Sequence, residues 1–117
     1  MTPQDLVSAI RTNVIDEDME IFKRLFSTTQ SENATDPYWK RSLALFQRLS
    51  ADERNVLFEI VRNTAVATTS HMLGVLDGAN AINVKESEMK LIATVNGAQL
   101  NGELQNIFLL EEERNRM

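Results

Sequence analysis

The chain has 117 residues, of which 43% are hydrophobic and 25% charged, and both values are typical of one globular domain. A formal net charge of −5 and the lack of any strongly basic stretch argue against a nucleic-acid surface and favour a basic protein partner. Because there is no cysteine, disulfides, thiolate zinc sites and cysteine nucleophiles are excluded. With no signal-peptide pattern and no apolar run of roughly 18 residues, we expect a cytoplasmic single domain over residues 1–117, without a membrane segment.

The N-terminal segment predicts a helix that changes direction. Thr2 is a capping residue, the proline after it suits the first helical position, and Asp5 places an acid in the first turn. Leu6 and Ile10 lie within about 40° of each other on the helical wheel, whereas Met19 and Phe26 lie roughly 200–220° from Leu6. We therefore expect a bend or break near Asn13–Asp16, with Asp16 capping the second piece.

Two further helices are predicted to meet at a short corner. The polar stretch 27–37 reads as a surface loop, after which Asp36 caps a helix that Pro37 begins. Ser50 and Glu53 have the spacing of a capping box, in which each side chain bonds to the other residue's backbone N–H. The next helix should therefore begin immediately after Ser50.

The helix opened by Ser50 should run to about Asp77, with Gly78 as its terminator. Residues 78–88 are expected to form a loop, with a short extended piece at Ile82 and Val84. In residues 89–100 the apolar period changes to two around Asn96-Gly97, which is the signal of a type I′ hairpin. Residues 103–113 fit a short amphipathic helix, although a strand is an alternative.

The predicted fold class is mainly α (α+β): a small helical bundle around one long central helix, with a C-terminal β-hairpin. The predicted core consists of apolar residues from every one of these elements: Leu6, Ile10, Phe22, Phe26, Trp39, Leu43, Phe46, Leu57, Ile60, Val61, Met72, Val75, Leu91 and Phe108.

The long helix carries a broad apolar stripe that is expected to face the core. Its members are Leu57, Val61, Ala65, Met72 and Val75. Thr64, Thr68 and the chain's one histidine, His71, lie on the same arc. A hydroxyl–imidazole catalytic pair needs an orienting group, and helical threonines usually return their hydroxyls to a preceding carbonyl. We therefore expect His71 to be a hydrogen-bonded residue at the edge of the core, with catalysis there as the alternative.

A second, narrower apolar strip consists of Val66 and Leu73, with Thr69 between them, on the opposite side of this helix. One interpretation is that the C-terminal hairpin or last helix covers the strip. The other is that Val66, Thr69 and Leu73 bind a protein partner or join a homodimer.

The densest acidic run is formed by Asp16, Glu17, Asp18 and Glu20. A calcium loop is excluded, because its sixth and twelfth positions would hold Ile21 and Ser27 instead of glycine and glutamate. These acids suit the start of a helix through its dipole, and they are also the candidate patch for a basic partner. The run Glu111–Glu113 has the same two interpretations, or forms a frayed acidic terminus.

Other ligand-binding patterns are weak. Lys40, Arg41 and Arg48 give one basic patch beside Tyr38 and Trp39, which could touch a nucleic acid but is typical of a solvated helix face. Phosphate loops and metal-ligand spacings are not found, so no cofactor or metal is expected.

The motifs "LSADERNVLFEIV", "MLGVLDG" and a Val-Asn-Gly hairpin with a short acidic tail resemble small bacterial proteins, some of which are immunity or antitoxin proteins. The resemblance covers residues 49–113 and implies a non-catalytic inhibitor that blocks a basic cognate protein. The alternatives are a homodimeric structural or assembly subunit, and an enzyme with a carboxylate site at Asp16–Glu20 or at His71.

Overall fold

A computed structural model of the protein describes residues 1–78 and 91–116. Its helices are α1 (Pro3–Ile10), α2 (Glu17–Thr28), α3 (Pro37–Arg48), α4 (Ala51–Leu76) and α5 (Leu104–Asn115), and strands β1 (Thr94–Val95) and β2 (Ala98–Gln99) form an antiparallel hairpin. The predicted fold class is therefore confirmed. The extended piece predicted at Ile82 and Val84 lies outside the described residues.

The capping signals at Thr2 and Ser50 are confirmed. The Thr2 hydroxyl accepts from the Asp5 N–H at 3.1 Å, and the Asp5 carboxylate accepts from the Thr2 N–H at 3.0 Å. Ser50 and Glu53 make the same reciprocal pair at the start of α4, at 3.1 and 2.8 Å. Each pair satisfies backbone donors that a helix start leaves without an intrahelical acceptor.

Of the bend or break expected near Asn13–Asp16, the break is wrong, because a π-helical segment, Arg11–Asp16, joins α1 and α2. Asp16 makes no side-chain capping bond. In a regular α-helix, side chains four residues apart differ by about 40° in direction around the axis. Apolar residues at every fourth position therefore rotate gradually away from one face of the helix. The wider π turn offsets this drift, and Val7, Arg11, Ile15 and Met19 are all buried. A single helical face therefore extends through the region where two were expected.

The main core lies where this N-terminal face meets α4 and α5. Leu73 and Val66 of α4 pack there with Leu104 and Phe108 of α5, and Phe108 has no exposed surface. The interpretation in which the last helix covers the strip of Val66 and Leu73 is therefore the correct one. The narrow strip is the one that faces inward, since α5 and the N-terminal helices supply its apolar cover.

The broad stripe of α4 is only partly buried in the C-terminal half of the helix, where Ala65 and Val75 are half-buried. The expectation that this arc is buried is wrong at Thr64, Thr68 and His71, which are exposed, and at Met72, which exposes 55% of its surface. Nearer the N-terminus Leu57 and Val61 are half-buried.

Aromatic side chains join α2, α3 and the first half of α4. The Phe26 ring lies 5.7 Å from Trp39 and 5.2 Å from Phe46, centroid to centroid, and Phe46 lies 5.6 Å from Phe58. Such tilted pairs suit the quadrupoles of the rings. This aromatic cluster holds α3 in place beside α4.

The hairpin turn has the predicted conformation, with φ of 52° at Asn96 and 83° at Gly97. Asn101 attaches the hairpin to α4. Its amide donates to the Leu76 carbonyl at 2.5 Å and to the Leu91 carbonyl at 2.7 Å, and its oxygen accepts from the Ala93 N–H at 2.9 Å. The segment after it is the helix α5, so the strand alternative is wrong.

The predicted core is correct at Leu43, Phe46 and Phe108, which are buried. It is wrong at Ile60, Met72 and Leu91, which expose 57%, 55% and 39% of their surface. The other predicted members are half-buried: Leu6, Ile10, Phe22, Phe26, Trp39, Leu57, Val61 and Val75.

The molecule is extended for its length. Its radius of gyration is 18.1 Å and its dimensions are 51 × 39 × 23 Å. A compact domain of this length has a radius of about 13 Å. Within residues 1–78 and 91–116, no helix combines the length and apolarity needed to cross a bilayer.

Candidate functional site

A cleft of about 500 Å³ lies between α2 and α4. Its carboxylates are Asp16, Glu20 and Glu59, and Lys23 and Arg62 are its basic residues. Met19, Phe58 and Asn55 complete its lining. This acidic cleft has charged walls and an apolar strip, a combination that suits a long basic side chain with an apolar stem.

Only part of the predicted acidic run lines the acidic cleft. Asp16 and Glu20 are four residues apart around the first turn of α2, and both line the acidic cleft. Glu17 and Asp18 are exposed and are not among the residues that line it. The predicted patch is therefore half inside the cleft and half beside it.

Arg62 joins the acidic cleft to a buried ion network. Its Nη1 donates to Glu112 Oε1 at 2.5 Å, and Arg11 Nη1 bonds to the other oxygen, Oε2. Burial, the largest single influence, acts to raise the pKa of Glu112, but its bonds and charge interactions with Arg62 and Arg11 together hold that pKa below its usual range. The hydrogen bond to Glu112 raises the pKa of Arg62. Glu112 is thus ionised and fixed between two arginines.

Arg11 is 7% exposed, and its guanidinium contacts the last helix. Its Nη2 donates to the Phe108 carbonyl at 2.9 Å and lies 3.4 Å from Glu111 Oε2, while the guanidinium carbon lies 4.6 Å from the centroid of the Phe108 ring. The interpretation of Glu111–Glu113 as a frayed acidic terminus is therefore wrong at Glu112, which is 5% exposed.

The ion network is electrically balanced, since Arg11 and Arg62 carry two positive charges and Glu111 and Glu112 two negative ones. Because this network neutralises Arg62, the remaining charged groups of the acidic cleft are three carboxylates and the ammonium of Lys23. That ammonium lies 5.9 Å from the centroid of the Phe58 ring. The net charge of the cleft is consequently negative.

The other predicted binding residues do not form a surface. Val66 and Leu73 expose 7% and 2% of their area within the main core, and Thr69 is half-buried. Of the two interpretations of this strip, the structure contains the one in which the last helix covers it. A partner or a second copy cannot reach Val66 and Leu73 in this arrangement.

The stretch around His71 lies on an exposed side of α4. The Thr64 hydroxyl donates to the Ile60 carbonyl at 2.9 Å, which is the back-bonding expected of a helical threonine. His71 is exposed on α4 and does not line the acidic cleft. Among residues 1–78 and 91–116, no group of three or more His, Asp or Glu side chains is placed to hold a metal ion.

A second, more apolar groove lies between α2, α3 and α4, with a volume of about 240 Å³. Leu57 and Val61 form its floor on α4, and Tyr38 and Leu45 of α3, which are 59% and 47% exposed, line its wall. The basic residues of α3, Lys40, Arg41 and Arg48, are exposed and do not line this groove. The groove therefore offers apolar area without charge.

The sequence interpretation missed Arg11 and Arg62 entirely. Arg11 interrupts an apolar four-residue series between Val7 and Ile15, and Glu112 follows the buried Phe108 by one helical turn. One charged residue at the buried position of each of two four-residue apolar series, with opposite signs in the two series, is the signal that could have paired Arg11 with Glu112.

Comparisons with known proteins give no match: no family model fits the chain, and no curated protein or solved structure is similar to it.

Proposed function

We propose that this protein is a non-catalytic binding protein, of immunity or antitoxin type, that blocks a basic cognate protein in the cytoplasm. The observation that carries the proposal is the acidic cleft, where Asp16, Glu20 and Glu59 surround an apolar strip. A lysine or arginine of the partner would place its stem on Phe58 and its charge between the carboxylates.

Two features favour binding over chemistry at this cleft. Its arginine is committed to Glu112, so it is fixed as part of the scaffold. The cleft acids lie on α4, on α2 and on the π-helical segment before it, and the aromatic cluster that joins α2 to α4 holds the walls at a set separation. A preformed site loses little conformational entropy on binding.

Electrostatic attraction would make association with a basic partner fast and selective. The chain carries a net charge of −5, and Glu17 and Asp18 extend the negative field beyond the acidic cleft. Complementary fields raise association rates and disfavour acidic competitors, and salt screens the effect. Inhibition would then follow from steric occlusion of the partner's functional surface.

The test uses the product of the reading frame adjacent to this protein's gene. Titration calorimetry compares wild type with the double variant Asp16→Asn/Glu20→Gln, which removes two cleft carboxylates. The matched control is Glu17→Gln/Asp18→Asn, which makes the same charge change one residue away but outside the cleft lining. We expect the cleft variant to weaken binding by at least tenfold, and the control by about threefold or less through long-range charge alone.

Co-expression with the neighbouring gene provides the functional readout. Protection of the host cell by wild type and the control variant, but not by the cleft variant, is the expected result. If wild type neither binds the neighbouring protein nor protects against it, the inhibitor proposal is wrong. Equal losses in the two double variants would reject the cleft as the binding site.

A further inference from the structure

The helix α5 ends at the mouth of the acidic cleft. Near the start of α5, the Gln105 amide donates to Ser70 Oγ at 3.3 Å, and near its end Glu112 accepts from Arg62. The two helices therefore run side by side in opposite directions. Since Arg62 also lines the cleft, the cleft begins along α4 where α5 stops.

The opposite wall continues past α5 in the same way. Arg11 bonds to Glu112, and Asp16, at the end of the same π-helical segment, lines the cleft. Farther along this wall, the Lys23 ammonium lies 5.9 Å from the centroid of the Phe58 ring of α4. Both walls that hold the end of α5 therefore extend beyond it, and the cleft lies between their extensions.

The cleft and α5 also share one face of α4. Around the axis of α4, the core residues that pack with α5 lie within about 40° of Arg62, and the residues that line the cleft lie within about 60° of it. The first set is Val66 and Leu73, and the second is Asn55, Phe58 and Glu59. The seat of α5 and the acidic cleft are thus the filled and the open part of one groove, named the interhelical groove.

The filled part shows what kind of element the interhelical groove accommodates. There an α-helix lies with Phe108 fully buried and with Glu112 held by one arginine from each wall. Both walls are helices, whose backbone groups bond internally, so they offer no edge with which a strand could pair. Their side chains recur once per helical turn, which matches the side chains of a third helix laid between them.

The open part has the size of a short helical contact. From Arg62 to Asn55 it is about 10 Å long, which corresponds to two helical turns. Its volume of about 500 Å³ lies within the range of pockets that hold drug-sized ligands, so it accepts more than one side chain. Among residues 1–78 and 91–116, no element occupies this part of the groove.

The two parts differ in the sign of their charge. In the filled part the walls present arginines and the helix supplies the carboxylate. In the open part the walls present three carboxylates around Met19 and Phe58, with Lys23 as the opposing charge. Asp16 and Glu20, four residues apart, are separated by about 6 Å along one wall. A helix that complements the open part therefore carries two basic residues four positions apart and an apolar residue between them on the same face.

We propose that the open part of the interhelical groove binds a basic amphipathic helix of the partner protein, laid end to end with α5. Its two arginine or lysine side chains bind the carboxylates of Asp16, Glu20 and Glu59. The apolar residue one position before the second of them packs on Met19 and Phe58. This inference rests on the proposed function for the existence of a basic partner, and it adds the form in which the partner binds.

An NMR titration of the full chain with synthetic peptides tests the form of the ligand. The probe is an alanine- and glutamine-based helix of about 18 residues with arginine at its positions 6 and 10 and leucine at its position 9. The matched control has the same composition, with the second arginine moved to position 15, on the opposite side of the helix. A third peptide is the probe with proline at position 8, which breaks the helix. We expect the probe to shift the signals of the cleft residues, and both other peptides to bind at least fivefold more weakly.

Two tryptophan variants test whether the probe lies in the groove. Asn55→Trp fills the end of the open part that is farthest from α5, without a change of charge. Thr64→Trp places the same side chain at an exposed position on the far side of α4. We expect Asn55→Trp to weaken binding of the probe at least fivefold and Thr64→Trp to leave it unchanged. Equal binding of the three peptides, including no binding of any, or a probe that Asn55→Trp leaves bound, overturns the proposal.

The neighbouring gene product separates this inference from the proposed function. In its complex with the full chain, hydrogen exchange should show protection of one helical segment of the partner that carries two basic residues four positions apart. A complex in which the protected basic segment of the partner is not helical retains the inhibitor proposal and overturns the helix-binding groove. Selective binding of the probe peptide, without binding of the neighbouring protein, supports the groove and rejects the inhibitor proposal.

Discussion

The carboxylate of Asp77, at the end of α4, caps the start of α5 from 28 residues away by accepting from the Gln105 N–H at 2.8 Å. It also accepts from the N–H groups of Gly102 and Leu104, at 2.6 and 3.2 Å. Glu103, which precedes the helix in the chain, makes no capping bond. The cap therefore acts between elements: it orients the last helix relative to the central one.

Removing this cap should weaken the whole fold. We expect Asp77→Ala to lower the free energy of unfolding by about 2 kcal/mol, since three N–H groups lose a charged acceptor. Asp77→Asn keeps one acceptor oxygen and should lose about half as much. Glu103→Ala is the control and should change stability little. Urea denaturation measures all three, and equal losses in Asp77→Ala and Glu103→Ala would contradict the assignment.

The orientation of α4 can be tested with two adjacent residues. Leu73→Ala should cost about 3 kcal/mol, because it opens a cavity in the main core. Met72→Ala, at a residue that is 55% exposed, should cost less than about 0.5 kcal/mol. The comparison is made by denaturation below the concentration at which any dimer forms. Reversed costs would show that the helix is rotated.

Glu112→Gln should be strongly destabilising, because it leaves Arg11 buried without its main counter-ion. We expect a loss of about 3 kcal/mol, at the lower end of the range for broken buried pairs since Glu111 remains beside Arg11. The double variant Arg11→Met/Glu112→Leu should be more stable than Glu112→Gln, because it removes both buried charges. A double variant that is less stable than the single one would show that the pair itself is strongly stabilising.

Glu112 should also make the stability of the fold depend on pH. The pKa of Glu112 is lower in the folded protein than in the unfolded chain, where it is about 4.3. Its contribution is therefore fully present above that value and is lost as pH falls through the folded pKa. Thermal unfolding of wild type and Glu112→Gln between neutral pH and pH 3 should show the two melting temperatures converging in acid. A constant difference would show that the pKa is not lowered.

The hairpin turn depends on a backbone conformation that side chains rarely adopt. Gly97 has φ of 83° and no heavy atom near the position of an added Cβ, so Gly97→Ala introduces strain without a clash. We expect a loss of about 1 kcal/mol in unfolding experiments. Asn96→Gly, at φ of 52°, is the control and should be nearly neutral, and equal losses at both positions would contradict this reasoning.

Structures that depend on residues close together in the chain were predicted correctly from the sequence. The Ser50–Glu53 capping box and the Asn96-Gly97 turn were predicted from sequence because their bonding partners lie within one turn of the chain. The end of α4 at Asp77 and Gly78 has the same local origin.

The orientation of α4 could not be derived in this way. The helix has apolar residues on two sides, and the choice between them depends on Leu104 and Phe108, which lie dozens of residues later. Helical periodicity identifies faces but does not say which partner is available to cover each of them. For this reason Met72, in the broad stripe, was expected inside, and it is 55% exposed.

The candidate site was predicted in part. Asp16 and Glu20 were identified as a patch from their density along the chain, and they line the acidic cleft with Glu59, which no sequence pattern had marked. The ion network behind the cleft was missed, because Arg11 and Glu112 are 101 residues apart and neither belongs to a recognisable motif.

This separation has a consequence for synthesis on the ribosome. The buried partner of Arg11, and the aromatic ring beneath it, are translated about a hundred residues after it. Until α5 has left the exit tunnel, the apolar face formed by Val7, Ile15 and Met19 stays incompletely shielded from water and from chaperones. Completion of the main core thus waits for the synthesis of α5, and a ribosome stalled before that helix would hold an exposed, aggregation-prone nascent chain.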